Sequence, residues 1–127
     1  MTTDDATFLY VDIAVLLGVL GLLMILAGWA AAKGRLKRNY VIGMRTSAIM
    51  RSDETWRVAH KKCAWSFWSS GGVLVAGALL LNVLRPPGRW ATALLMVMTA
   101  LVGVIVLVGA VQAARTVDHE APGQDRT

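Results

Sequence analysis

Residues 13–32 read IAVLLGVLGLLMILAGWAAA and contain no charged side chain. As an α-helix, a segment of this length spans about 30 Å, which is the thickness of the hydrocarbon core of a bilayer. The preceding residues, MTTDDATFLYVD, are acidic and contain no Lys or Arg. A cleaved signal peptide begins with a basic segment, so we predict a retained transmembrane helix at 13–32.

Two further apolar runs follow, at residues 64–84 and 90–114. Each run is uncharged and long enough to cross a bilayer as a helix. The residues between them, RPPGR at 85–89, favour a tight turn between antiparallel helices because proline and glycine interrupt helices. Residues 115–127 are polar and are predicted to form a disordered tail. The predicted fold is an all-α integral membrane protein, a single domain with three transmembrane helices.

The overall composition agrees with this prediction. Hydrophobic residues make up 56% of the 127 residues and charged residues 17%, whereas soluble domains are about 25% charged. These values exclude an ordinary soluble enzyme and a disordered chain. Cys63 is the only cysteine, so the chain forms no internal disulfide.

The distribution of Lys and Arg predicts the orientation in the membrane. The loop at 33–63 contains nine of these residues and the C-terminal tail two, against two in the RPPGR turn and none before the first apolar run. Because cytoplasmic segments are enriched in Lys and Arg, we expect an extracytoplasmic N-terminus and a cytoplasmic loop and C-terminus. The net charge of +5 is therefore interpreted as a topology and lipid signal rather than as a sign of direct nucleic-acid binding.

A basic cluster, KGRLKRN at 33–39, directly follows the first predicted span. Basic side chains at this position attract anionic lipid, with about 1 kcal/mol for each residue near the surface. We therefore predict that the cluster anchors the span and contacts lipid headgroups through Lys33, Arg35, Lys37 and Arg38.

The rest of the loop is patterned as a helix. Ser52 is a suitable N-cap, and Asp53 and Glu54 suit the positive end of a helix dipole. The residues that follow form one apolar face at helical spacing: Trp56, Ala59, His60 and Cys63. Because no helix breaker precedes the second span, the sequence predicts one amphipathic, continuous helix from Asp53 to Leu84. Such a helix would be about 48 Å long and would extend about three turns into the cytoplasm.

The loop sequence RNYVIGMRTSAIMRSDETWRVAHKKCAW, at 38–65, resembles the signature of the SdpI-type immunity protein family of bacterial membrane proteins. That signature contains an Ile-Gly-X-Arg-Thr motif followed by a helix with Trp and, four residues later, His. The matching positions are Asn39, Ile42, Gly43, Arg45, Thr46, Trp56 and His60. The family pattern has Pro where this chain has Ser47, often Thr where it has Ile49, and tends to have Gly where it has Cys63 and Ala64. Fuller members of the family also carry additional spans.

The resemblance implies a multi-pass protein of the bacterial plasma membrane that protects the cell against a secreted toxic peptide. In some members this protection is coupled to holding a transcriptional repressor at the membrane. A toxic peptide and a cytoplasmic regulator are therefore the expected partners. The expected partner surface is formed by the signature residues Asn39, Gly43, Arg45, Thr46, Trp56 and His60.

Each signature residue also has a simpler structural interpretation. Arg45 and Thr46 would contact a partner or an anion, or else Arg45 would bind lipid phosphate or a carbonyl of its own loop. Trp56 and His60 would form a docking face, or they would pack the helix onto the segment at 39–46. Gly43 permits a close backbone approach or an unusual dihedral angle.

Other function classes have less support. The sequence contains no credible catalytic set, and its histidines are His60 and His119 alone, so we expect no enzyme activity, no metal and no cofactor. A small accessory subunit of a larger membrane complex is the main alternative. A homo-oligomeric channel is another, in which Asn82, Gln112 and the serines of the second span would line the pore. Small residues in the first two spans, such as Gly21, Gly28 and Gly77, predict close helix packing within the chain or between subunits.

Overall fold

The computed structural model describes residues 3–39, 43, 47 and 49–120. Its elements are α1 (Thr3–Ala32), a 3₁₀ turn (Ile49–Arg51), α2 (Asp53–Lys62), α3 (Ala64–Leu84) and α4 (Gly88–Glu120). Helices α1, α3 and α4 each contain a segment long and apolar enough to cross a membrane, at Asp4–Ala32, Ala64–Leu84 and Gly88–Val117. The predicted all-helical fold with three candidate spans is therefore confirmed.

Helix α3 lies between the other two long helices. It packs against both α1 and α4, whereas α1 and α4 do not approach each other within 8 Å between Cα atoms in the described ranges. The outer helices consequently turn most of their apolar surface outward, and only 11% of the residues in the apolar stretch of each are buried. The three spans thus form a single layer rather than a closed bundle.

Helix α1 begins ten residues before the predicted span. Asp4 and Asp5 occupy its first turn, where carboxylates stabilise the positive end of the helix dipole, and no proline precedes the apolar run. At the other end, Gly34 adopts a φ of +69°, and the N–H groups of Arg35 and Leu36 donate to the carbonyl of Ala30. Glycine favours this left-handed conformation, so the helix ends close to the predicted position.

The predicted continuous helix from Asp53 to Leu84 is wrong. Cys63 lies in a turn with φ −99° and ψ 11° and separates α2 from α3. Its carbonyl accepts the N–H of Ser66 at 2.9 Å and the Ser66 hydroxyl at 2.7 Å, a three-residue spacing in place of the four of an α-helix. The break allows α2 to pack against α4 and the 3₁₀ turn, while α3 packs mainly against α1.

Helix α4 continues beyond the predicted span at 90–114. It begins at Gly88 and ends at Glu120, so residues 115–120 are helical where the sequence predicted a disordered tail. Ala113 and Val117 are almost completely buried, and their packing stabilises this last part of the helix. The remainder of the predicted tail, 121–127, lies outside the described residues.

The predicted RPPGR turn is present between α3 and α4. Arg85 takes a left-handed conformation with φ 43°, and its N–H donates to the carbonyl of Leu81 at 3.1 Å. The carbonyl of Pro87 accepts the N–H groups of Trp90 and Ala91 and so starts α4. The Tyr10 hydroxyl donates to the carbonyl of Pro86, which fastens the turn to the first helix.

Glycines bring the spans together within the chain. A Cβ atom built on Gly71 would lie 2.6 Å from the carbonyl oxygen of Gly21, and one on Gly21 would lie 2.8 Å from the carbonyl oxygen of Gly71. Gly28 packs against the side chain of Trp68, and Gly77 against the side chain of Met98 of α4. The predicted packing of small residues within the chain is confirmed at these positions.

Replacement of the glycine at this helix crossing should destabilise the protein. In Gly71→Ala the added methyl group meets the backbone of α1, which should lower the free energy of unfolding by about 1–3 kcal/mol. The neighbouring Gly72→Ala is the matched control, because its Cβ meets no described atom within 4 Å and alanine favours a helix. Thermal unfolding in a neutral detergent, followed by circular dichroism, measures both variants. Equal stabilities would contradict the crossing.

Candidate functional site

A complete N-cap starts α2. The Ser52 hydroxyl accepts the N–H of Thr55 at 3.1 Å, and the Thr55 hydroxyl accepts the N–H of Ser52 at 3.1 Å. Asp53 and Glu54 fill the first turn. The predicted helix start is therefore confirmed, and the reciprocal hydrogen bonds fix the direction in which α2 leaves the loop.

The predicted apolar face of α2 is buried. Trp56, Ala59, His60 and Cys63 are each exposed by 1% or less. They belong to, or directly contact, a cluster that we call the Trp56 core. Its members are Ala27, Ile49, Trp56, Ala59, Cys63, Phe67, Ala113 and Val117. All four helices and the 3₁₀ turn contribute to this core, which lies at the end of the molecule that carries the loop.

Trp56 and His60 form a stacked pair inside this region. Their ring centroids are 4.1 Å apart and the ring planes differ by 25°. The indole Nε1–H of Trp56 donates to the carbonyl of Leu36 at 2.8 Å and ties α2 to the segment that follows α1. Nδ1 of His60 lies 2.8 Å from the carbonyl of Trp56, and since a carbonyl can only accept, Nδ1 carries the hydrogen.

Gly43 closes this pair from the loop side. It adopts a φ of +111°, which L side chains rarely adopt, and a Cβ built on it would lie 2.5 Å from Nε2 of His60 and 3.1 Å from the Trp56 ring. The sequence analysis gave two reasons for a glycine here, a close backbone approach and an unusual dihedral angle, and both apply. The structure brings Gly43, Trp56 and His60 into one contact group, which corresponds to the packing interpretation of the pair.

The other predicted site residues divide into two groups. Arg45 and Thr46 lie outside the described residues. Asn39 donates from Nδ2 to the carbonyl of Lys37 at 2.8 Å at the rim of the loop. Among the basic residues, Arg38 donates to the carbonyl of Met50 at 2.8 Å and pairs with Asp53 at 3.3 Å.

The remaining members of the basic cluster lie on the surface. Lys33, Arg35 and Lys37 are exposed. The Arg35 guanidinium lies 5.4 Å from the centre of the Trp29 ring, so it covers the last turn of α1. These positions are compatible with the predicted contacts to lipid headgroups.

Burial changes the proton affinity of two groups in this region. Desolvation lowers the pKa of His60 below its ordinary value of 6.5, although the hydrogen bond to the Trp56 carbonyl opposes this shift. Desolvation raises the pKa of the Cys63 thiol to about 11, with its own backbone opposing the shift. The buried imidazole is therefore neutral at pH 7, and the thiol is protonated and unreactive. Among the described residues, no group of three or more His, Cys, Asp or Glu side chains is placed to hold a metal ion.

Sequence reasoning missed three groups that complete the region. Ile49 is fully buried, and its carbonyl accepts the Thr55 hydroxyl at 3.0 Å. The Leu36 carbonyl is the acceptor for Trp56, and Val117 fills the core from α4. Val117 carried a signal, since it follows Ala113 at helical spacing, whereas a backbone acceptor such as Leu36 carries none.

Comparison with known protein families identifies the family of this chain. The model of the SdpI/YfhL protein family matches residues 35–111, which are more than half of the chain and include α2, α3 and most of α4. The protein therefore belongs to the SdpI/YfhL protein family, as its loop signature indicated. Comparisons with curated proteins and with solved structures found no significant match.

Acid should weaken the structure through His60. Because the folded state has the lower pKa, the unfolded chain binds more protons below about pH 6.5, and the free energy of unfolding falls as the pH falls. A single titrating group limits the slope to at most about 1.4 kcal/mol per pH unit, and the slope should level off below the folded pKa. Chemical unfolding between pH 5.5 and 7.5 measures this slope.

Two variants assign the effect to its source. His60→Phe retains an aromatic ring on Trp56 and removes the titrating group, so its stability should change little over this range. His119→Gln, which removes the other histidine, should retain the wild-type slope. A wild-type slope in His60→Phe would show that another group causes the loss.

Proposed function

We propose that this multi-pass SdpI-family membrane protein is an immunity or signalling factor that recognises a membrane-active peptide. The spans and the basic loop would detect the peptide, and the loop would pass the event to a cytoplasmic regulator. The observation that carries the proposal is the Trp56 core, in which the loop helix and the ends of all three spans meet. The family match supports the same assignment.

The core supplies a physical route from spans to loop. Ala27 of α1, Phe67 of α3 and Ala113 of α4 contact the same cluster that holds Trp56. A peptide that displaces one span against another would therefore change the packing around Trp56. Since Trp56 also holds the Leu36 carbonyl, such a change reaches the basic segment that follows α1.

The proposed orientation places the Trp56 core in the cytoplasm of a bacterial plasma membrane. Nine Lys and Arg residues lie in the loop at 33–63, whereas the segment before the first apolar run has none. The positive-inside rule therefore supports an extracytoplasmic N-terminus. A peptide arriving from outside would meet the spans first.

A small accessory subunit of a larger membrane complex is the second candidate. The outward apolar faces of α1 and α4 favour it, because a large partner would cover them in place of lipid. Purification of the tagged protein at native expression separates the candidates. A single large complex at fixed stoichiometry supports the subunit, and isolation alone or with a regulator supports immunity.

Loss of the signature groups should remove protection from cells. In a deletion strain challenged with the peptide fraction secreted by neighbouring strains, the wild-type gene should restore growth. Trp56→Phe, which removes the hydrogen bond to Leu36, and Arg45→Gln should each lower the tolerated dose about tenfold. Lys62→Gln is the control, because it removes an exposed charge from α2 outside the core.

Membrane levels must be measured in the same strains. Immunoblots of the membrane fraction should show equal amounts of all variants, so that lost protection reflects lost function. Full protection by both Trp56→Phe and Arg45→Gln would rule out a role of the loop signature in protection. Equal sensitivity of the deletion strain and its parent would rule out immunity against the tested peptides.

Cysteine labelling tests the orientation. The native Cys63 is fully buried with its pKa raised to about 11, so it should stay unlabelled in the folded protein at pH 7. In intact cells a membrane-impermeant maleimide should label Asp4→Cys and leave Lys62→Cys unlabelled until the cells are opened. The reverse pattern would place the loop outside.

A further inference from the structure

A cationic cleft opens between α2 and the segment that follows α1. Its volume is about 410 Å³. One wall carries Leu36, Lys37 and Arg38, and the other carries Asp53, Trp56 and Arg57. Three cations and one carboxylate line it, so the cleft has a positive net charge.

The three cations of the cleft differ in how many contacts hold their side chains. Arg38 is held by the Met50 carbonyl and by Asp53, which fixes its guanidinium at the rim. Those two contacts use only part of its five N–H donors. Within the described part of the chain, no carboxylate pairs with Lys37 or Arg57. One cation is therefore preorganised, and two remain to bind an anion.

The cleft lies close to the end of a candidate span. Gly34, which also lines it, follows the last residue of α1 by two positions. A Cβ on Gly34 would lie 3.2 Å from Cδ of Arg57 and 3.1 Å from Cε of Lys61, so the side chains of α2 cross over the end of α1. In a helix that spans a bilayer, the residues just beyond the apolar stretch lie at the level of the lipid phosphates.

We propose that this cleft is a discrete binding site for the phosphate of an anionic phospholipid headgroup, with Lys37, Arg38 and Arg57 as its ligands. The site joins two chain segments, unlike the diffuse contact that a basic run after a span makes with lipid. Arginine suits phosphate because its planar donors bind two oxygens at once. A bound phosphate would also fasten the segment at 34–38 to α2 beside Trp56.

Ligand-induced stabilisation of the full-length protein in a neutral detergent tests this site. The probes are short-chain phosphatidylglycerol, short-chain phosphatidylcholine and inorganic phosphate, each titrated while the thermal midpoint is followed. The cleft variant is Lys37→Gln with Arg57→Gln. The matched control is Arg51→Gln with Lys62→Gln, which removes the same charge from exposed positions outside the cleft.

Phosphatidylglycerol should stabilise the wild type and the control at lower concentrations than phosphatidylcholine. Since each cation is worth about a fivefold factor, the cleft variant should bind phosphatidylglycerol about 25-fold more weakly. If inorganic phosphate does not stabilise the protein, the site is assigned to the lipid. If inorganic phosphate stabilises the wild type and the control to saturation but not the cleft variant, the site is assigned to free phosphate. Equal responses of the two double variants would overturn the discrete site.

Discussion

Trp56 is buried because residue 43 is a glycine. The indole is 1% exposed, donates to the Leu36 carbonyl and stacks on His60, while the backbone of Gly43 covers the pair at a distance that a Cβ would not allow. Truncation of a buried tryptophan costs about 3–5 kcal/mol, so this one contact group outweighs any surface ion pair in the loop. The position of α2 depends on it.

Two kinds of packing hold the molecule together. Helix association in lipid gains nothing from the hydrophobic effect, and the spans accordingly meet through glycines such as Gly21 and Gly71, where backbones touch. The Trp56 core lies at the loop ends of the spans. There the loop residues Ile49, Trp56, Ala59 and Cys63 are buried against apolar side chains of the spans, at Ala27, Phe67, Ala113 and Val117. Since α1 and α4 do not contact each other along the layer in the described residues, this core is what joins their loop ends.

The sequence predicted the elements that depend on local pattern. The three spans follow from uncharged length, the start of α2 from Ser52, and the buried face of α2 from helical spacing. The break at Cys63 was not predictable, because cysteine is not a helix breaker and the turn follows from the different packing of α2 and α3. The helical end of α4 was missed for a related reason, since polar residues there are held in a helix by the burial of Val117.

The site shows the same division. The resemblance pointed to Gly43, Trp56 and His60, and the structure brings them together as a packing group. The indole N–H of Trp56 and Nδ1 of His60 both donate to backbone carbonyls. Because this group is completely buried, it can affect the binding of a partner only by changing the position of α2. Binding that responds directly to charge must then use the exposed cations around the group, such as Lys37 of the basic cluster and Arg57 of α2. The signature thus defines the scaffold of the loop, and the basic residues that line its cleft supply the exposed positive charge beside that scaffold.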